Sequence, residues 1–152
     1  VAHRHLEGMF EKKNIVATKV SVLPQPLSIF TWNGLVQTKR GVLQTFFSVL
    51  DESDSLSLTE YENHSNEYVI KALETDAAKS YMAFARHPWI HSLKENDHEV
   101  VELQDLQFSI DRAILRTVGF TERSLPFVLR FTFSSNGNPL ETTLDGRTLT
   151  PR

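Results

Sequence analysis

The side chains best suited to chemistry in these 152 residues are six histidines and a handful of carboxylates. Neutral imidazole ligates zinc and similar ions, and two histidines four apart share one face of a helix. His87 and His91 have that spacing, but Pro88 stands between them and argues against the helix. His3 and His5 are two apart, which on a helix points them in different directions, and His98 sits between Asp97 and Glu99 in a predicted turn. A hydrogen-bonded or solvated histidine is the expectation for each, with His87 and His91 kept as weak candidates. Asp105 differs because it interrupts an apolar strand whose face it shares with Val101 and Leu103. A carboxylate there is expected to accept backbone or arginine hydrogen bonds at a strand end, the alternative being a general base. The pairs Asp51 with Glu52 and Glu60 with Glu62 read as solvated charges.

Other chemistries find no support. The six glycines fall in no phosphate-cradling pattern and no serine stands in a nucleophile elbow. With no cysteine there is no disulfide, thiolate metal site or thiol nucleophile. A formal charge of -3 offers no basic face for nucleic acid.

The elements that must position these groups follow from periodicity. Residues 1–13 read as an N-terminal helix, and Val16 to Leu23 alternate as a half-buried strand. Pro24 and Pro26 remove two backbone donors, so "PQP" is expected to be an extended link that cannot continue a central strand. Residues 28–37 then form a strand with Phe30, Trp32 and Val36 on one face around Gly34, and 42–50 return as its hairpin partner. After the acidic "DESDS", residues 56–62 alternate again. The period turns helical from Asn66 to Arg86, with Val69, Ile70 and Leu73 on one stripe and Ala78, Tyr81, Met82 and Ala85 on another. Thr75 or Asp76 caps the second helix. Two strands turn at "KENDH", residues 111–118 are either a short helix stopped by Gly119 or a loop, and Phe127, Leu129, Phe131 and Phe133 mark the clearest strand. Trp32 and Trp89 are expected in the core.

Strands in runs with helices grouped between them predict an α+β domain: one antiparallel sheet of about six to seven strands, with the N-terminal helix and the helical pair on one face. The length suits one domain, residues 1–152, able to bury roughly 70% of its unfolded surface. No apolar run approaches the ~18 to 20 residues that cross a bilayer. The chain opens at Val1 in what reads as the end of a helix, so a piece of something longer is expected.

Three stretches carry a resemblance. Pro24, Pro26 and Trp32, then "FARHPW" at 84–89, then "DLQF" at 105–108 (Asp105 to Phe108), are similar in order and spacing to motifs in the C-terminal region of the YdjM-type, membrane-bound, metal-dependent hydrolases of bacteria. The likeness covers about residues 1–146 and departs at Asn33 and Gln107, where arginine is usual in that family. It implies a water-soluble domain following absent membrane-spanning helices, located at the bacterial inner membrane and partnered by its own membrane-spanning region. A divalent metal would then belong to the full-length protein, with no cofactor or metal ligand in this part.

Three functions are therefore carried forward. The first is an accessory domain that does no chemistry alone. The second is a self-contained small hydrolase using His87, His91 or Asp105 on the open sheet face. The third is a ligand-binding domain in which Phe30, Trp32 and the Phe127–Phe133 stripe line a cavity.

Overall fold

Strands form where the two-residue period predicts them, but the chain divides them between two sheets. The structure, a computed structural model, describes residues 6, 16–26, 28–50, 57–119 and 126–149. Among these, β1 (Lys19–Pro24), β2 (Thr31–Gln37), β3 (Gly41–Ser48) and β4 (Thr59–Glu62) form a four-stranded sheet in that order. A five-stranded sheet follows the order β5 (Pro88–Glu95), β6 (His98–Asp105), β7 (Val128–Phe133), β8 (Pro139–Leu144) and β9 (Arg147–Thr148). Three short helices, α1 (Glu67–Leu73), α2 (Asp76–Phe84) and α3 (Arg112–Val118), complete the described elements. Two compact units result, residues 1–61 with 107–125 and residues 62–106 with 126–152.

This overturns the expected α+β architecture of a single sheet of six to seven strands beneath an N-terminal helix. The molecule is mostly β, with two antiparallel sheets. Alternation identifies a strand but says nothing of which strand lies beside it, and that is settled by what occupies each edge. Here the Asn63 Oδ1 accepts from the Ile90 N–H and the His64 N–H donates to the Ile90 carbonyl, both at 2.9 Å, so β5 has no room for a further strand on that side. The predicted helix over residues 1–13 lies outside the described residues except for Leu6, which is helical.

In the first unit, β2 pairs antiparallel with β1 and β3, setting Trp32 between Pro24 and Phe47, and Val36 between Val20 and Leu43. That face packs with the fully buried Leu6 into a small apolar core. Gly34 lies in its middle for a steric reason: a Cβ there would stand 2.9 Å from Leu6 Cδ2 and 3.1 Å from Thr45 Cγ2. Pro24 is tolerated because β1 is an edge strand. The ladder continues from the Gln25 N–H to the Thr31 carbonyl at 3.0 Å, so by alternation the proline nitrogen faces away from β2. Phe30, grouped with Trp32 by its spacing, precedes β2 and is exposed.

In the second unit, Ile90, Val101, Leu103, Leu129, Phe131 and Phe133 present one apolar face to the helical pair. Val69 and Ala72 of α1 and Ala78 and Tyr81 of α2 meet it. The predicted helical stripes are shifted by this contact, since Ile70 and Met82 turn to solvent. Asn66 caps α1 through the Val69 N–H at 2.9 Å, and Thr75, rather than Asp76, caps α2 through the Ala78 N–H at 3.2 Å. The turn joining β5 to β6 places Asn96 and Asp97 at φ of 47° and 65°, the left-handed pair of a tight hairpin.

Candidate functional site

Asp105 ends β6 opposite Pro88, the first residue of β5. Its side chain is 1% exposed, and its two oxygens are taken by successive main-chain donors: Arg86 N–H at 2.8 Å and His87 N–H at 3.0 Å. These amides belong to the link between α2 and β5, which departs from helical geometry at Ala85 (ψ 135°) and so leaves them without helical acceptors. The carboxylate supplies those acceptors. The strand-end reading of Asp105 therefore describes its geometry, and the segments "FARHPW" and "DLQF" are neighbours joined by this clamp and by the Leu106 N–H to the His87 carbonyl at 3.1 Å. His87 is completely buried.

His91 lies elsewhere, on the sheet face opposite the helical pair. The registers set His91 of β5 beside Glu102 of β6, and Glu102 beside Arg130 of β7. His91 Nε2 is 3.2 Å from Glu102 Oε2, and Arg130 donates to Glu102 Oε1 at 2.9 Å and also to Glu95. The imidazole stacks on Trp89 with ring centroids 4.1 Å apart and receives the edge of His64 at 6.5 Å. The hydrogen bond with His91 is the chief influence holding the Glu102 carboxyl below its usual range; burial works the other way, and the charges of His91 and Arg130 add to the lowering. His91 Nδ1 is buried and makes no hydrogen bond. A carboxylate held ionised between an imidazole and a guanidinium is suited to tying three strands together. A general base would need a nitrogen open to substrate, which Nδ1 is not.

The proline motif lies in the first unit. Pro24 and Pro26 are exposed, and the residue between them carries the polar contacts. Gln25 is buried, donates to the Ser109 carbonyl at 3.3 Å and accepts the Asp111 N–H at 2.9 Å, while Asp111 caps α3 through the Ala113 N–H at 2.9 Å. The helical alternative for residues 111–118 is the observed one, and Gly119 stops it at φ 75°. Trp32 packs its ring on the core while lining, with Pro24, Gln25, Ser28, Ile29 and Phe30, an open groove of about 700 Å³. Its indole N–H is buried without a hydrogen bond. Asn33, on the other face of β2, accepts from the Gln44 side-chain amide at 3.0 Å. Phe108 is half-buried in a single 3₁₀ turn.

The structure thus unites Asp105 with the His87 main chain and leaves His91 in a different cluster. His98 is exposed beside the β5–β6 turn, and His3 and His5 lie outside the described residues. Phe30 and Trp32 belong to one unit and the Phe127–Phe133 stripe to the other, so they are not one sheet face. Within that stripe Leu129, Phe131 and Phe133 are core, while Phe127 lines an apolar groove of about 390 Å³ with Tyr81 and Phe84. Sequence reasoning missed Gln25, His64, Glu95, Glu102 and Arg130. The register of β5, β6 and β7 was the missing information, because Glu102 and Arg130 gain meaning only as cross-strand neighbours of His91. Among the described residues no group of three or more histidines, aspartates or glutamates is placed to hold a metal. Comparison with known protein families, with curated proteins and with solved structures gives no match.

Proposed function

We propose that this chain is an accessory domain that supports or binds and carries out no chemistry by itself, in the setting of a bacterial membrane-bound, metal-dependent hydrolase of the YdjM type. The observation that carries the first part is the engagement of Asp105: each carboxylate oxygen already accepts a main-chain N–H within 3.0 Å, in a site closed to solvent. The setting rests on the resemblance alone. Its support is that two of the three segments that carry the likeness are tied to each other by that same carboxylate. The test is turnover. The purified chain, supplied with magnesium, manganese or zinc, is expected to leave ester and phosphoester substrates intact, and hydrolysis that follows the protein through purification overturns the proposal.

A second function, ligand binding, is favoured by the groove at Trp32. Its volume of about 700 Å³ lies in the range of small-molecule sites. Quenching or enhancement of tryptophan emission by an added ligand, lost in Trp32→Phe, is the result that would raise it above the first.

A further inference from the structure

The outer edge of β5 is met along its middle by another segment of the second unit. Ile90 and Ser92 are alternate residues, and the ladder to β6 leaves their N–H and C=O groups pointing outward. Residues 62–66 take them in turn. Asn63 Oδ1 accepts the Ile90 N–H at 2.9 Å and the His64 N–H donates to the Ile90 carbonyl at 2.9 Å. The Ser92 N–H donates to His64 Nδ1 at 3.0 Å, and that nitrogen lies 3.1 Å from the Ser92 carbonyl. Beyond the backbone, Trp89 Nε1 donates to the Glu62 carbonyl at 3.1 Å and Asn66 Nδ2 to Ser92 Oγ at 2.9 Å. The remaining outward positions are Pro88, which has no donor, and Lys94, whose charge opposes edge pairing.

We infer that residues 62–66 are a strap that holds the β5 edge closed against a second copy of this chain. An exposed edge is a template for another strand, and proteins block it with proline, charge or a covering segment. All three devices occur here. They converge on a strand that can pair with itself: an antiparallel copy centred on His91 sets Ile90 of each chain opposite Ser92 of the other, with both hydrogen bonds exchanged at each pair. The strap supplies three of those four partners from within the chain: Asn63 Oδ1 and the His64 N–H satisfy Ile90, and His64 Nδ1, as acceptor, takes the Ser92 N–H. Asn66 anchors its end by capping α1 and holding Ser92 at once.

The test compares the intact chain with Asn63→Ala/His64→Ala by sedimentation over a wide concentration range, with amide exchange read at Ile90 and Ser92. Removing the strap's side chains is expected to tighten self-association by at least about tenfold, which corresponds to about 1.4 kcal/mol, and Ser92→Pro added to the double variant is expected to reverse it by deleting an outward donor. Unchanged sedimentation together with unchanged exchange overturns the proposal, and so does self-association that survives Ser92→Pro. Should the double variant fail to fold, His64→Ala alone decides by the Ser92 amide: faster exchange supports the strap and unchanged exchange refutes it.

Discussion

Replacing Asp105 by alanine removes the acceptor from two consecutive amides, and its cost can be built from the two bonds. Each is a main-chain N–H donating to a carboxylate, at 2.8 and 3.0 Å, and hydrogen bonds to a charged group contribute about 1.5–3 kcal/mol each. The two amides differ in what replaces the lost partner. The His87 N–H is buried, so nothing recovers its desolvation, whereas the Arg86 N–H is half-buried and can turn to water. The sum is therefore expected near the upper end for His87 and the lower end for Arg86, about 3–5 kcal/mol in all. For a domain whose whole stability is about 5–15 kcal/mol this is a severe loss. Urea unfolding is the assay, with the midpoint falling and the slope unchanged. Asp105→Asn keeps one acceptor and turns an N–H₂ toward the second amide, so it is expected to lose a large part of the same amount. A loss below about 1 kcal/mol in Asp105→Ala would refute the clamp, and an Asp105→Asn variant that is fully stable yet altered in some activity would point back to a general base.

Further outcomes follow from the same contacts. The Glu102 carboxyl is held below its ordinary value, chiefly by the His91 hydrogen bond, so the unfolded chain takes up that proton first as pH falls. The stability it contributes is complete above about 4.5 and is lost as pH drops toward its lower folded value; urea midpoints of the intact chain and Glu102→Gln are expected to converge below that pH and to separate above it. Tyr81 moves the other way: burial, with Asp105 and Asp145 adding, pushes its phenol above the usual range, and its hydroxyl donates to the Phe127 carbonyl at 2.6 Å. Its contribution is present below the ordinary value of 10.0 and lost at higher pH, so in ultraviolet titration the folded chain is expected to show a late-ionising tyrosine that the unfolded chain lacks, and Tyr81→Phe removes that late step. Gly34→Ala places a methyl against the fully buried Leu6, and about 1–3 kcal/mol of destabilisation is expected by thermal unfolding; a neutral result would contradict the close approach.

Much of this was legible in the chain because local periods and caps act over a few residues. The alternation of Leu129, Phe131 and Phe133 marks β7, and Gly119 marks the stop of α3, although the sequence leaves residues 111–118 open between helix and loop and gives no sign of the cap at Asp111. The apolar character of Asp105's neighbours pointed to a carboxylate satisfied by hydrogen bonds. What periodicity does not contain is adjacency between distant strands. One sheet was expected where two occur, because nothing within residues 88–95 shows that their outer edge is already met by Asn63 and His64. The candidate site suffered in the same way. His91 was visible as a histidine, but its ties to Glu102 and through it to Arg130 depend on a register set by three strands. In "PQP" the prolines are conspicuous through their fixed backbone, while Gln25, the residue that reaches Ser109 and Asp111, carries no local signature of a partner more than eighty residues away.

Titrating zinc into the folded chain while following the imidazole nitrogens of His87 and His91 by NMR puts the central claim to the most direct trial. Resonances that stay in place through excess metal are predicted, because His87 is buried and His91 is engaged by Glu102 and Trp89. Saturable movement of both rings at one metal per chain would contradict the account and place a metal centre where a structural scaffold is described.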